Sequence, residues 1–186
     1  MRQANAKDRI LQTAGQLFFQ RGYSEVGINE IIERAETAKA SFYQHFSSKE
    51  ALCEAWLAAV HDRSEDQRAA LLAAASNPTA KLECYFDELA AFMINSQFRG
   101  CPYSNTGAVS DATCTGIVAQ IQGHKDSLRR FFREICSLQL DESSRAEEIG
   151  DRIFLLYSGA TTECQNLRTI WPVEVARKAA LELLSR

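Results

Sequence analysis

Apolar residues recur at three- and four-residue spacing along nearly the whole chain, and few residues are present that would break a helix. That period lays side chains along one stripe of an α-helix, whereas a half-buried strand needs strict alternation. From Asp8 to Gln20 the stripe is Ile10, Leu11, Ala14, Leu17 and Phe18, and Gly22 follows where a left-handed residue closes a helix. A short helix is expected through Ile28, Ile31, Ile32 and Ala35, and another from Ala38 to Phe46, with Phe42 and Phe46 on its inner side. Ser47 reads as the N-cap of a long helix, Glu50 completing a capping box, and the pattern runs to a break at Asn77-Pro78. Further helices are expected from Thr79 to about Gln97, from Pro102, from Thr113 to Cys136, from a second capping box at Ser144 and Glu147, and from Pro172. With three prolines and nine glycines in 186 residues there are few turns for a sheet, so the expected class is all-α.

Composition narrows the function. Apolar residues make up 46% of the chain, enough for a sizeable core, which argues against disorder. A net charge of -3 excludes a broadly basic nucleic-acid coat but not DNA binding, because only the docking face need be positive. No stretch approaches the roughly 20 consecutive apolar residues of a membrane span, and the first residues lack a signal peptide's solid apolar block. A soluble, cytoplasmic protein with no membrane partner is expected. The six cysteines (53, 84, 101, 114, 136 and 164) show no C-x-x-C pair and the three histidines (45, 61 and 124) no H-E-x-x-H, so no metal site is expected. Neither G-x-S-x-G nor a phosphate-cradling glycine loop occurs, and no catalytic residue, cofactor or enzyme activity is expected.

Three short helices closed by a capped long one are the layout of a helix-turn-helix, assigned to residues 1–50, with 51–186 as a second helical domain. Only Glu36-Thr37 separates the second and third helices, and Thr37 is expected to cap the third through its hydroxyl. That helix then presents Ala38, Lys39, Ala40 and Ser41, small or cationic groups that let its backbone approach a major groove.

The segments LFFQRGY (17–23), INEIIERA (28–35), AKASFYQHF (38–46) and SSKEAL (47–52) resemble the DNA-binding region of the tetracycline-repressor (TetR) family, over residues 7–56. The spacing F-x-x-x-G-[YF], I-x-x-x-A and K-x-x-[LF]-Y-x-[HY]-F-x-[SN]-K-x-x-L is met almost throughout. One departure is the turn: the family often has Gly-Val where this chain has Glu36-Thr37, and glycine tolerates positive φ more cheaply than glutamate. The resemblance implies a regulator, most often a repressor, on a palindromic double-stranded operator. It makes Lys39, Ser41 and Gln44 candidates for base-edge or nearby phosphate contacts, since lysine reaches guanine acceptors and glutamine pairs with adenine. Tyr43, His45 and Lys49 match positions that meet or flank phosphates. Gly27, Ile28, Asn29 and Thr37 are expected to add donors to phosphate oxygens, with Arg2 and Lys7 as an N-terminal arm and the small Ala38 letting the third helix come close.

The resemblance also implies a ligand-sensing C-terminal domain that dimerises through its last two helices, about 144–168 and 172–185. Candidates to line its cavity for a small-molecule inducer are Trp56, Phe86, Met93, Tyr103, Phe132 and Tyr157, although such stripes also make plain cores. RGCPYSNTG, at 99–107, is similar to the Gly-Cys motif of a subgroup that includes NemR-like sensors of electrophiles and oxidants. Cys101 is expected to cap a helix opened by Pro102, beside Arg99, a setting that favours a reactive thiol. The alternative function is therefore a thiol-based sensor acting through Cys101.

Overall fold

The computed structural model describes residues 5–74 and 77–185. Among them are nine helices and no strand. In chain order they are α1 (Ala6–Arg21), α2 (Ile28–Arg34), α3 (Lys39–His45), α4 (Lys49–Ala74), α5 (Pro78–Asn95), α6 (Pro102–Gly107), α7 (Thr115–Ser137), α8 (Ser143–Leu167) and α9 (Trp171–Leu184). The all-α expectation holds, and each expected helix is present with ends shifted by one or two residues.

Three expected caps are not the ones used. α4 starts at Lys49, and the amide of Ala51 donates to Ser48 Oγ at 3.0 Å, so Ser48 and not Ser47 caps it. Glu50 is then one position too early for a capping box and accepts from the Cys114 thiol instead. Ahead of α3 the cap position falls on Ala38, which leaves Thr37 outside it. At α8 the cap position is Glu142; the Ser144 hydroxyl donates to the Glu142 carboxylate, and Glu147 pairs with Arg133. A cap motif names a short sequence, and tertiary partners decide which residue of a polar cluster takes the role.

The chain divides into two compact units by its internal packing. The first runs to Arg63 and adds Pro102–Gly123; the second holds Ser64–Cys101 and the chain from His124. α4 and α7 contribute residues to both. The core of the first unit gathers Ile10, Leu17, Phe18, Ile31, Phe42 and Leu52, with Trp56 5.6 Å from Phe18 between ring centroids. Gly15 permits that contact, because a Cβ there would stand 2.7 Å from the indole. Tyr103 is buried beside them, its hydroxyl donating to the Leu57 carbonyl at 2.8 Å.

In the second unit α9 packs on α8 and α5, and Leu82, Phe86, Met93, Phe132, Ile135 and Ile153 fill the centre. Each such side chain contributes about 1.5–3 kcal/mol by leaving water. α7 and α8 approach closely at Gly150, where a Cβ would lie 2.6 Å from Cα of Arg133. Asp151 fixes the same pair of helices by accepting from Arg129 (2.6 Å) and Arg133 (2.7 Å). Those hydrogen bonds hold its carboxyl well below the usual carboxylate range.

Candidate nucleic-acid interface

The turn that sets α3 against α2 is built from backbone. Glu36 N donates to Glu33 O and Thr37 N to Ile32 O, both at 3.1 Å. This pair of bonds is a Schellman motif, and Glu36 sits at its left-handed position with φ +48°. The chain therefore makes the turn that glycine usually makes, with a glutamate held in the less favoured conformation. Arg9 holds it there: its guanidinium donates from Nε to the Ala35 carbonyl at 3.2 Å and from Nη2 to the Glu36 carbonyl at 3.3 Å. Nothing in local spacing singles out Arg9, because its partners lie 26 and 27 residues away.

α3 is anchored by its apolar side alone. Phe42 is fully buried and Phe46 nearly so, whereas Ala38, Lys39, Ala40, Tyr43, Gln44 and His45 are exposed and Ser41 is half-buried. Tyr43 stands edge-on to Phe42 and is 47% exposed as a residue, so it lies on the surface of this unit. At the start of α2, Gly27 and Asn29 are exposed and Ile28 is half-buried; Thr37 is half-buried at the turn. The structure thus gathers ten of the eleven sequence-selected residues around one small, mostly uncovered helix and its approach.

Lys49 departs from that group. Its ammonium donates to the carbonyls of Tyr23 (3.1 Å) and Val26 (3.2 Å) and lies 4.5 Å from the Tyr23 ring centroid. It is a strut that ties the start of α4 to the loop between α1 and α2. The Tyr23 phenol is pushed up to about 12, chiefly by burial, and stays neutral beneath it. Arg2 lies outside the described residues, and Lys7 is exposed on the first turn of α1.

The candidates for the sensor cavity separate. Trp56 and Tyr103 belong to the first unit, in the packing contacts given above. Phe86, Met93, Cys101, Phe132 and Tyr157 belong to the second. There Tyr157 meets Phe86 at 5.9 Å and Phe132 at 5.5 Å, and Tyr85 and Phe131, which were not among the cavity candidates, complete the cluster. Cys101 is half-buried just ahead of α6, with Lys125 Nζ 3.8 Å from its sulfur. No helix among the described residues is long and apolar enough to cross a membrane, and among them no three metal-binding side chains cluster.

Comparison with known proteins agrees with this geometry. The family described as "Bacterial regulatory proteins, tetR family" matches residues 10–56. The transcriptional repressor NemR of Escherichia coli K12 is 41% identical over 63 residues, which cover 32% of each chain. The chain therefore spans about a third of the length of the curated relatives it matches. Among solved structures, the reduced form of E. coli NemR superposes with a TM-score of 0.80 over 96% of this chain and 97% of that one, at 21% identity. A TetR-family regulator from Streptomyces coelicolor gives 0.83 over 98% and 87%, also at 21% identity. At that identity the likeness is one of fold. Residues 10–56, with their matching sequence and exposed third helix, thus resemble the N-terminal region of the tetR family of bacterial regulatory proteins.

Proposed function

We propose that the chain is a DNA-binding transcription regulator, a repressor that holds a palindromic operator as a homodimer and releases it when a small-molecule inducer binds. The observation that carries this reading is α3: a helix fixed by Phe42 and Phe46, whose other residues are small, polar or cationic and face outward. Lys39, Ser41 and Gln44 would meet base edges, with Tyr43, His45, Thr37, Ala38 and the start of α2 against phosphates. Residues 1–50 would form the DNA-reading domain and 51–186 the sensing and dimerising one. NemR, described as a transcriptional repressor, favours repression.

Support for the dimer comes from α8 and α9. Leu155, Trp171 and Val175 are 66%, 52% and 58% exposed, and these helices frame an apolar groove of about 660 Å³. Apolar side chains left this open mark a surface that another protein covers. A second copy, related by a twofold axis, would bury 144–168 and 172–185 and pair two α3 helices for two half-sites.

Titration of the full chain against the promoter beside its own gene tests the proposal. A sequence-selective, salt-weakened complex at a palindrome is expected; no selective complex at any nearby palindrome overturns it. A second reading, thiol sensing, is favoured by one contact, that of Cys101 with Lys125. Under it Cys101→Ser still binds the operator but ignores an alkylating agent that releases the native protein; unchanged release in that variant removes it.

A further inference from the structure

Inside the second unit a polar chain interrupts an otherwise aromatic core. Arg68 of α4, only 3% exposed, donates to the Glu65 carboxylate and to Ser127 Oγ of α7 (3.3 Å). Its guanidinium carbon lies 5.9 Å from the Phe131 ring centroid. The Tyr85 hydroxyl of α5 bonds to Arg68 and to the Tyr157 hydroxyl of α8, and the two tyrosine rings stack at 5.2 Å. Four helices thus deliver one guanidinium and three hydroxyls to a single aromatic cluster.

Packing alone does not require this. Well-packed apolar residues of similar volume often stabilise a core as much as a buried ion pair does. The countercharge is also unevenly placed, since the Glu65 side chain is 44% exposed while that of Arg68 is 4% exposed. The cation is fixed in the interior, whereas its carboxylate partner, which also accepts from Ser127, is half-exposed. A ligand carboxylate can take that place, because guanidinium offers a carboxylate two parallel hydrogen bonds. The Ser127 hydroxyl, which donates to Glu65, is released as a donor when that carboxylate leaves, beside the Tyr85 hydroxyl and the rings of Phe131, Phe132 and Tyr157. A cationic ligand would be repelled by Arg68, and a neutral one would leave Glu65 in possession of it.

We infer that this cluster is the recognition site for the inducer, and that the inducer is a small aromatic carboxylate anchored by Arg68 in exchange for Glu65. The inference deepens the ligand-responsive reading above and rests on it for the word inducer. Calorimetric titration of the full chain, without DNA, with benzoate, salicylate and cinnamate, and with benzamide and benzylamine as controls, tests it. At least one carboxylate is expected to bind saturably and about tenfold or more tighter than its amide, since a site built for a charged group rejects the analogue lacking it. Arg68→Lys should weaken that binding by about tenfold, because it keeps the charge and loses the two-pronged geometry. Glu65→Gln, on a half-exposed side chain, should tighten it severalfold by removing the competing carboxylate, an outcome that a merely structural role would not give. No binding by any of the three carboxylates, equal binding of the amide, or weaker binding in Glu65→Gln overturns the inference. Because no DNA is present, failure here leaves an operator complex standing, and failure at the operator leaves this result standing.

Discussion

The two units of this chain carry their information differently. In the first, the family match covers residues 10–56 and the relative from E. coli shares 41% of 63 residues; across the whole chain, solved structures keep the fold at about half that identity. The outward side of α3 is polar and small, whereas the outward side of α8 and α9 is apolar. Around the three short helices of the first unit, contacts such as those of Arg9 and Lys49 stay in one stretch of sequence, and Tyr103 joins from farther along the chain. Contacts in the second join distant segments, as Arg177 with Glu83 and Arg68 with Ser127 do. Under the proposed function the first unit meets a duplex, whose fixed surface would constrain particular residues. A helical bundle can be filled by many apolar combinations of the right volume, so its sequence drifts while its fold stays.

The sharpest way to break this comparison is to charge the apolar face. Leu155→Glu with Val175→Glu should yield monomers by sedimentation and lower operator affinity by about a hundredfold, the loss of linked half-site binding. A variant that stayed dimeric would place the interface elsewhere. Lys39→Ala acts on the other unit: it should remove about 1–3 kcal/mol of operator affinity while the dimer sediments unchanged. Equal DNA binding by that variant would take α3 out of the groove.

Smaller effects separate the two cores. Gly150→Ala drives a Cβ against the α7 backbone and should destabilise by about 1–3 kcal/mol, visible as a lowered melting temperature. Gly15→Ala meets only the Trp56 indole, a side chain that can shift, and should lower it less. Asp151→Asn should produce a modest drop that depends on pH. Because the folded carboxyl titrates below its unfolded value of about 3.9, its contribution is complete above that value and is lost as pH falls through the folded one. Native and variant melting temperatures should therefore converge in acid. The smallest effect has the opposite sign: Glu36→Gly should stabilise by up to about 1 kcal/mol, because glycine accepts the left-handed turn without strain. A lowered melting temperature there would show that the Glu36 side chain contributes more than the turn costs.

The residues of the helix-turn-helix were legible because the signals are local. Phe42 and Phe46 four apart, Lys39 and Gln44 on the other side, and Gly22 after α1 follow from helical period and backbone freedom. The capping residues were misplaced by one or two positions at Ser47, Thr37 and Ser144, where several hydroxyls or carboxylates compete within one short segment. Lys49 read as a phosphate neighbour because it matches a family position that meets or flanks phosphates; only the folded chain brings the carbonyls of Tyr23 and Val26 to its ammonium. Arg68 was passed over as one charge among many on a long helix.

Helical spacing and breaker residues by themselves determined the class, the order of helices and which side of α3 stays free. Tertiary structure alone decided which charges lie inside, that Glu36 would bear a left-handed turn under Arg9, and that Arg68, Tyr85, Ser127 and Tyr157 would meet. The reason is range: periodicity and caps act over a single helix, whereas burial and charge pairing depend on segments that folding brings together from far along the chain.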